Sequence, residues 1–230
     1  MWAVFIACAA LVYYLCLPAS GARADGILAL VLAWGVRLGV YITRRNWGHG
    51  EDRRYQQIRA RNQPNFAIKS LYLIFGLQTT LAWIVSAPVL VGLAGTRPLG
   101  MFDAVGLTLT VFGIAFEAVG DAQMASFRAK STNAGEVMDR GLWRYTRHPN
   151  YFGEACVWWG LWLTALGGAG RDGVWSVISP LLMTILLLKV SGVSLLEKHL
   201  AEHRPAYRDY IARTRAFVPG PPKRRAPPSQ

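Results

Sequence analysis

Six apolar blocks, parted by polar loops, decide what this chain can fold into. They cover residues 2–17, 26–43, 68–93, 102–124, 151–166 and 174–194. A helix crosses ~30 Å of hydrocarbon with ~20 apolar residues. Inside a bilayer only helices and closed barrels satisfy their own backbone. Continuous apolar runs of this kind predict an all-α, polytopic transmembrane helix bundle. The first and fifth blocks are short for a span. The third contains Pro88 and the sixth Pro180, and helices in a bundle accommodate such prolines through their neighbours.

The loops supply the topology. The loop after block two, the loop after block four and the segment after block six together hold nineteen Lys and Arg, whereas the alternate loops hold three: Arg23, Arg97 and Arg171. Basic residues collect on the cytoplasmic side, so this split predicts six spans with both termini cytoplasmic. It also accounts for the net charge of +12 without a nucleic-acid partner. The chain is 53% hydrophobic and only 17% charged, against ~45–50% and ~25% for soluble domains. Block one lacks a basic leader and no cleavage site precedes Arg23, which argues against a cleaved signal peptide. Cys8, Cys16 and Cys156 all lie in apolar blocks and offer neither a disulfide framework nor zinc spacing.

One domain is expected over residues 1–218, followed by a disordered, basic, Pro-rich tail over 219–230. Lys223, Arg224 and Arg225 in that tail suit anionic headgroups of membrane lipids, at about 1 kcal/mol each. Residues 195–215 pattern as an amphipathic helix with Leu196, Leu200, Tyr207 and Ile211 near one stripe, which Pro205 would end or kink. Such a helix either rests on lipid or closes over a cytoplasmic pocket.

The densest polar constellation lies in residues 141–154, where Arg144, Arg147, His148, Asn150 and Glu154 sit at the mouth of block five. Glu117 and Asp121 stand four residues apart near the basic end of block four, on one helical face. Ionisable groups inside a membrane are paired or functional. Two arrangements are open: an internal salt bridge to Arg37 or Lys189, or a polar cavity lined by Arg37, Glu117, Asp121, Asn150, Glu154 and Lys189. Arg44, Arg45, Arg53 and Arg54 suit phosphate oxygens, but they also fit plain positive-inside charge. His49, His148, His199 and His203 form no tight ligand set, so no metal is expected. No Gly-rich dinucleotide fingerprint follows a strand.

Several stretches resemble the membrane-embedded reductase family that contains the steroid 5-alpha-reductases. The nearest branch is a set of bacterial proteins catalogued as a domain of unknown function beside the steroid reductase C-terminal domain. The matching stretches are Trp34-Gly-Val-Arg37 with Tyr41 and Arg44-Arg45, Glu51-Asp52-Arg-Arg-Tyr55, Phe116-Glu117-Ala-Val-Gly-Asp121, residues 141–154, and Ser179-Pro180-Leu-Leu-Met183 with Leu196-Glu197. The resemblance implies a bacterial inner-membrane protein that binds NADPH from the cytoplasm and passes hydride to an activated C=C bond of a steroid-like or other lipid enone. No obligate protein partner is evident in the sequence. Carried over by position, Asn150 and Glu154 match residues at the nicotinamide end, and Asp121 and Arg128 match cofactor contacts. Arg37 and Arg45 correspond to arginines near the phosphates, Lys189 to a relative's arginine, and Arg147 and His148 belong to the same motif.

The chain departs from the family in two respects. Relatives commonly carry a further N-terminal span. The Glu and Tyr that polarise the enone carbonyl in steroid reductases also have no evident match in the N-terminal half. Tyr41, Tyr55 and Tyr72 are candidate proton donors on chemistry alone, and Tyr55 is taken with Glu154 as the catalytic expectation. A competing resemblance exists: Arg-His-Pro-x-Tyr-x-Gly, here residues 147–153, also looks like the signature of isoprenylcysteine carboxyl and phospholipid methyltransferases. Their C-terminal pattern is echoed by Glu197, Leu200, Tyr207, Tyr210 and Pro219, and the cofactor it implies is S-adenosylmethionine. A third possibility is a non-catalytic membrane protein whose intramembrane charges only pair with one another.

Overall fold

The computed structural model describes residues 2–18, 20–48, 50, 53–133, 135–190 and 205–223. Among these the chain is helical and forms no strand. The helices are α1 (Trp2–Cys16), α2 (Ala22–Asn46), α3 (Arg53–Arg61), α4 (Phe66–Val85), α5 (Ala87–Leu93), α6 (Met101–Arg128), α7 (Pro149–Ala169), α8 (Ile178–Ile185) and α9 (Pro205–Arg213). Four helical runs are long and apolar enough to cross a membrane: Ala22–Asn46, Phe66–Val85, Met101–Arg128 and Pro149–Lys189, with Trp2–Cys16 as a shorter apolar helix. The all-α membrane bundle read from the apolar blocks is therefore what the chain builds.

The last long run holds two of the expected blocks. Its 41 residues would reach about 60 Å if straight, twice the hydrocarbon thickness. Gly170 breaks it with φ 64°, a 3-10 turn over Gly170–Val177 reverses the chain, and α8 packs back on α7. Pro180 thus falls in the first turn of α8, not mid-span. Pro88 behaves likewise. Helix α4 stops at Val85, and Pro88 lies in the first turn of α5, where its missing N–H costs little. Val89 N–H bonds Ser86 O at 2.9 Å, and the carbonyl of Val85 is taken up by the Ser179 hydroxyl at 2.6 Å. A neighbouring helix thereby repairs the break, as expected for proline at membrane depth.

The core forms where α1, α2, α4, α7 and α8 meet. Ile6, Val31, Trp34, Val85, Trp158, Leu161 and Met183 are each at most 1% exposed. Trp34 and Trp158 meet edge to face with centroids 5.4 Å apart, a geometry that adds ~0.5–1.5 kcal/mol beyond burial. Outward faces carry Val12, Leu15, Trp83, Phe112 and Ile185, all exposed, as suits a surface solvated by lipid.

Helices α6 and α7 make the closest pairing in the fold. Both carry glycine every seventh residue: Gly106, Gly113 and Gly120 on α6, and Gly153, Gly160 and Gly167 on α7. They run antiparallel with backbones in contact. A Cβ on Gly113 would lie 2.6 Å from Gly153 O, and one on Gly160 2.6 Å from Gly106 O. Small residues permit this approach, and lipid-embedded helices associate through such packing.

At the end of the bundle opposite the basic loops, Arg23 is buried against Asp103. Arg23 Nε bonds Asp103 Oδ1 at 2.6 Å and Nη2 bonds Oδ2 at 3.0 Å. The remaining guanidinium protons reach Arg97 O at 2.8 Å and Pro98 O at 3.1 Å. Asp103 also accepts the Gly100 N–H at 2.9 Å, capping α6. Arg23, counted above as a loop charge, is thus a structural pin. Replacing Asp103 by alanine leaves this guanidinium buried without a counter-charge, a situation that costs ~3–5 kcal/mol in soluble proteins. A markedly lower melting temperature in detergent is expected; an unchanged melt would refute the pin.

The C-terminal stretch is described only in part. The amphipathic stripe over 195–215 falls partly outside the described residues, Leu196 and Leu200 included. What is described is a helix beginning at Pro205, a residue that suits the first helical turn. Residues 219–223, expected as part of the tail, are held in place. Gly220 N–H bonds Tyr145 O at 3.0 Å and Lys223 N–H bonds Arg213 O at 2.8 Å, which fixes 219–223 against the body. Arg224 and Arg225 lie outside the described residues.

Candidate functional site

Helix α2 carries Trp34, Arg37, Tyr41 and Arg45 at spacings of three and four, so they form one stripe. The stripe faces α6, which presents Glu117 and Asp121 one turn apart. Arg37 Nη1 bonds Asp121 Oδ2 at 2.9 Å, and Nη2 lies 2.6 Å from Glu117 Oε1 in a close ionic contact. The expected salt bridge to Arg37 is therefore present. It does not close the site, because Asp121 also lines a cavity at the basic end of the bundle.

That cavity has a volume of about 550 Å³, within the ~300–1,000 Å³ range of ligand pockets. Of the residues expected at a cofactor site, the structure brings Arg45, Asp121, Arg128, Arg147, His148 and Asn150 to its wall. Its charged lining is Arg45, Arg128, Lys130 and Arg147 against Asp121 and Glu136, a cationic surplus. Aromatic lining comes from Tyr41, Phe127, Trp143, Tyr151, Tyr207 and Tyr210.

The motif at 147–154 places its side chains in three layers. Arg147 is buried, and its guanidinium holds Ile211 O at 3.0 Å and the carbonyl of Thr214, while its N–H bonds Arg215 O at 2.9 Å. Arg147 therefore fastens the C-terminal segment over the cavity. His148 caps α7 and stacks on Tyr151 with centroids 5.2 Å apart. Pro149 opens the helix, and Asn150 one residue later points to the cavity. Asn150 packs with Asp121, and its Oδ1 is buried without a donor. Glu154 lies one turn deeper and does not line the cavity. Its two oxygens accept the indole N–H groups of Trp34 and Trp158, each at 3.0 Å.

Arg37, like Glu154, does not line the cavity, and two more expected residues are elsewhere. Tyr55 stands on α3, exposed, and its hydroxyl accepts from Gln78 Nε2 at 3.2 Å on α4. That hydrogen bond turns Tyr55 toward α4, and it does not line the cavity. Lys189 is exposed on the π-helical turn Leu186–Val190 and does not line the cavity. Of the three candidate tyrosines, Tyr41 lines it, whereas Tyr72 is exposed. Among the described residues no cluster suits a metal ion. Glu197, Leu200, Glu51 and Asp52 lie outside the described residues.

The C-terminal helix contributes to the cavity wall. Tyr207 and Tyr210 are buried in its wall, and the Tyr210 hydroxyl bonds Trp143 O. The described part of the predicted helix, α9, thus lies at the cavity wall. The Trp34 and Trp158 clamp on Glu154 was not anticipated, although both signals were present: Trp34 precedes Arg37 by three residues and Trp158 follows Glu154 by four.

The family description "Protein of unknown function (DUF1295)" matches residues 1–214. The chain belongs to this family. No similar protein was found among curated proteins or among solved structures. In this DUF1295 chain the match takes in every residue placed above at the cavity.

Proposed function

We propose that this DUF1295 protein is a membrane-embedded, NADPH-dependent reductase acting on an activated C=C bond of a lipid-like enone, with the cavity at its cytoplasmic end. The observation that carries the proposal is the cavity itself: a cationic, aromatic-lined space whose inner wall holds Asp121 beside an Asn150 carbonyl that lacks a donor. Such an orphaned acceptor fits the amide N–H of a nicotinamide carboxamide. The cationic surplus fits a dinucleotide bearing several phosphates, which arginine forks bind well. When bound, NADPH supplies the hydride.

The chain's own residues have separate tasks. Arg45, Arg128 and Lys130 hold phosphate oxygens at the rim. Asp121 and Asn150 orient the ring end. Tyr41, in place of Tyr55, stands as the hydroxyl donor on the wall. Arg147 and α9 keep water out, so that interactions inside the site act at low dielectric. A lipid acceptor enters between the helices from the bilayer, where its apolar body is already dissolved. The basic end faces the cytoplasm by the positive-inside distribution of Lys and Arg, and a bacterial inner membrane is the setting that the family resemblance suggests.

The test is a thermal-shift titration of detergent-purified protein with NADPH, NADH and S-adenosylmethionine side by side. NADPH is expected to stabilise selectively. Asn150→Ala is expected to weaken that binding by about tenfold or more, the worth of a hydrogen bond to a polar ligand group, with the fold intact. A shift with S-adenosylmethionine alone would move the protein to the methyltransferases, whose Tyr207 and Tyr210 echo lines this same cavity. Silence from all three would favour a non-catalytic bundle.

A further inference from the structure

Three carboxyl groups gather at the inner wall of the cavity, and the one guanidinium there pairs with two of them. Arg37 of α2 meets Glu117 at 2.6 Å and Asp121 at 2.9 Å. Glu154 of α7 meets the neutral indole donors of Trp34 and Trp158. The Glu154 carboxyl is also within hydrogen-bonding reach of Glu117. The Glu117 side chain is only 4% exposed, and its Oε2 has no donor. The two helices hold this proximity rigidly: a Cβ on Gly153 would lie 2.8 Å from Glu117 Cβ. An acceptor oxygen facing a second carboxyl is repulsive unless a proton lies between them. With every carboxyl ionised, three negative charges would face the single positive charge of Arg37, and Arg45 and Arg128 stand only at the cavity wall. Two carboxyls in contact do not both ionise.

We propose that Glu117 and Glu154 share a single proton and form the proton store of the site. Resting on the reductase reading, this proton is the one that accompanies the hydride. The hydride carries two electrons to one carbon of the acceptor's C=C bond, the π bond breaks, and the neighbouring carbon gains a proton. The O–H bond of the carboxyl pair breaks to supply it, leaving two carboxylates beside Arg37. The negative charge that the pair gains then balances the positive charge that the cofactor gains on losing hydride. Asp121, which lines the cavity one turn from Glu117, carries the proton between the pair and the cavity in both directions, and Asn150 positions that carboxylate.

Infrared spectroscopy of the full chain in lipid nanodiscs, in H2O and in D2O with carbon-13 glutamate, tests the pair without relying on turnover. A protonated glutamate carbonyl band that shifts in D2O is expected at neutral pH. It should vanish in both Glu117→Gln and Glu154→Gln. Saturating NADP+ should diminish it and release a proton into weakly buffered solution, whereas NADPH should leave it in place. Absence of the band in the labelled wild-type chain, which needs no variant to fold, would overturn the proposal. So would survival of the band in either substitution, or a band indifferent to bound NADP+. A band present with no nucleotide bound would support the shared proton and overturn the reductase reading alone. NADPH bound without any band would do the reverse.

Discussion

Arg37→Met is expected to destabilise the purified protein by ~3–5 kcal/mol, the usual loss when one partner of a buried ion pair is removed. The substitution keeps much of the side-chain volume and deletes the cation that faces both Glu117 and Asp121. What remains is a set of carboxyls in a low-dielectric wall with no counter-charge. The loss is therefore one of electrostatic compensation, and it should be reversible at a second site. The triple variant Arg37→Met, Glu117→Gln, Asp121→Asn should recover most of the melting temperature without recovering cofactor binding. If the single variant melts like the parent, the cluster is solvated and the buried-pair description fails. If the triple variant melts as low as the single one, the loss comes from packing around Arg37.

The second large effect is steric. Gly153→Val should abolish the folded bundle, because its Cβ would lie 2.7 Å from both Glu117 N and Gly113 O. Ordinary overpacking of a core costs ~1–3 kcal/mol because side chains can yield. Here the obstacle is main chain, which can yield only if α6 and α7 separate along their length. Gly50→Val is the control, since nothing lies within 4 Å of the Cβ it would add. Fluorescence-detected size-exclusion profiles across a temperature series would report both. A Gly153→Val protein that elutes and melts like the control would show that the close helix contact is not required.

These effects mark what could be read from residue order alone. The helical bundle was legible because hydrocarbon imposes a length and a polarity on every span. The pairing of Arg37 with Glu117 and Asp121 was legible because charges at membrane depth seek partners. The cavity wall was legible where a motif clustered its polar residues in one short stretch. Tyr55 and Lys189 lie away from the cavity for different reasons. Tyr55 rides on a loop helix whose docking depends on tertiary contacts with Gln78, and Lys189 sits on a π-helical turn, where α-helical phase does not carry over. The glycine heptads were visible in the sequence, but a glycine signals close approach only once its facing partner is known. Arg23 looked like a translocated loop charge because burial beside Asp103, eighty residues away, leaves no local trace.

The glycine contact between α6 and α7 has a mechanical consequence. One half of the acidic cluster hangs from α6 and the other from α7, so two helices locked main chain to main chain behave as a single girder. Distances between Glu117, Asp121, Asn150 and Glu154 are thereby set by a main-chain contact. Whatever admits a ligand must therefore hinge elsewhere, at α2, which approaches the girder through side chains, or at the C-terminal strap latched by Arg147. Entry and exit can loosen those parts repeatedly while the spacing of the four polar groups stays the same from one cycle to the next.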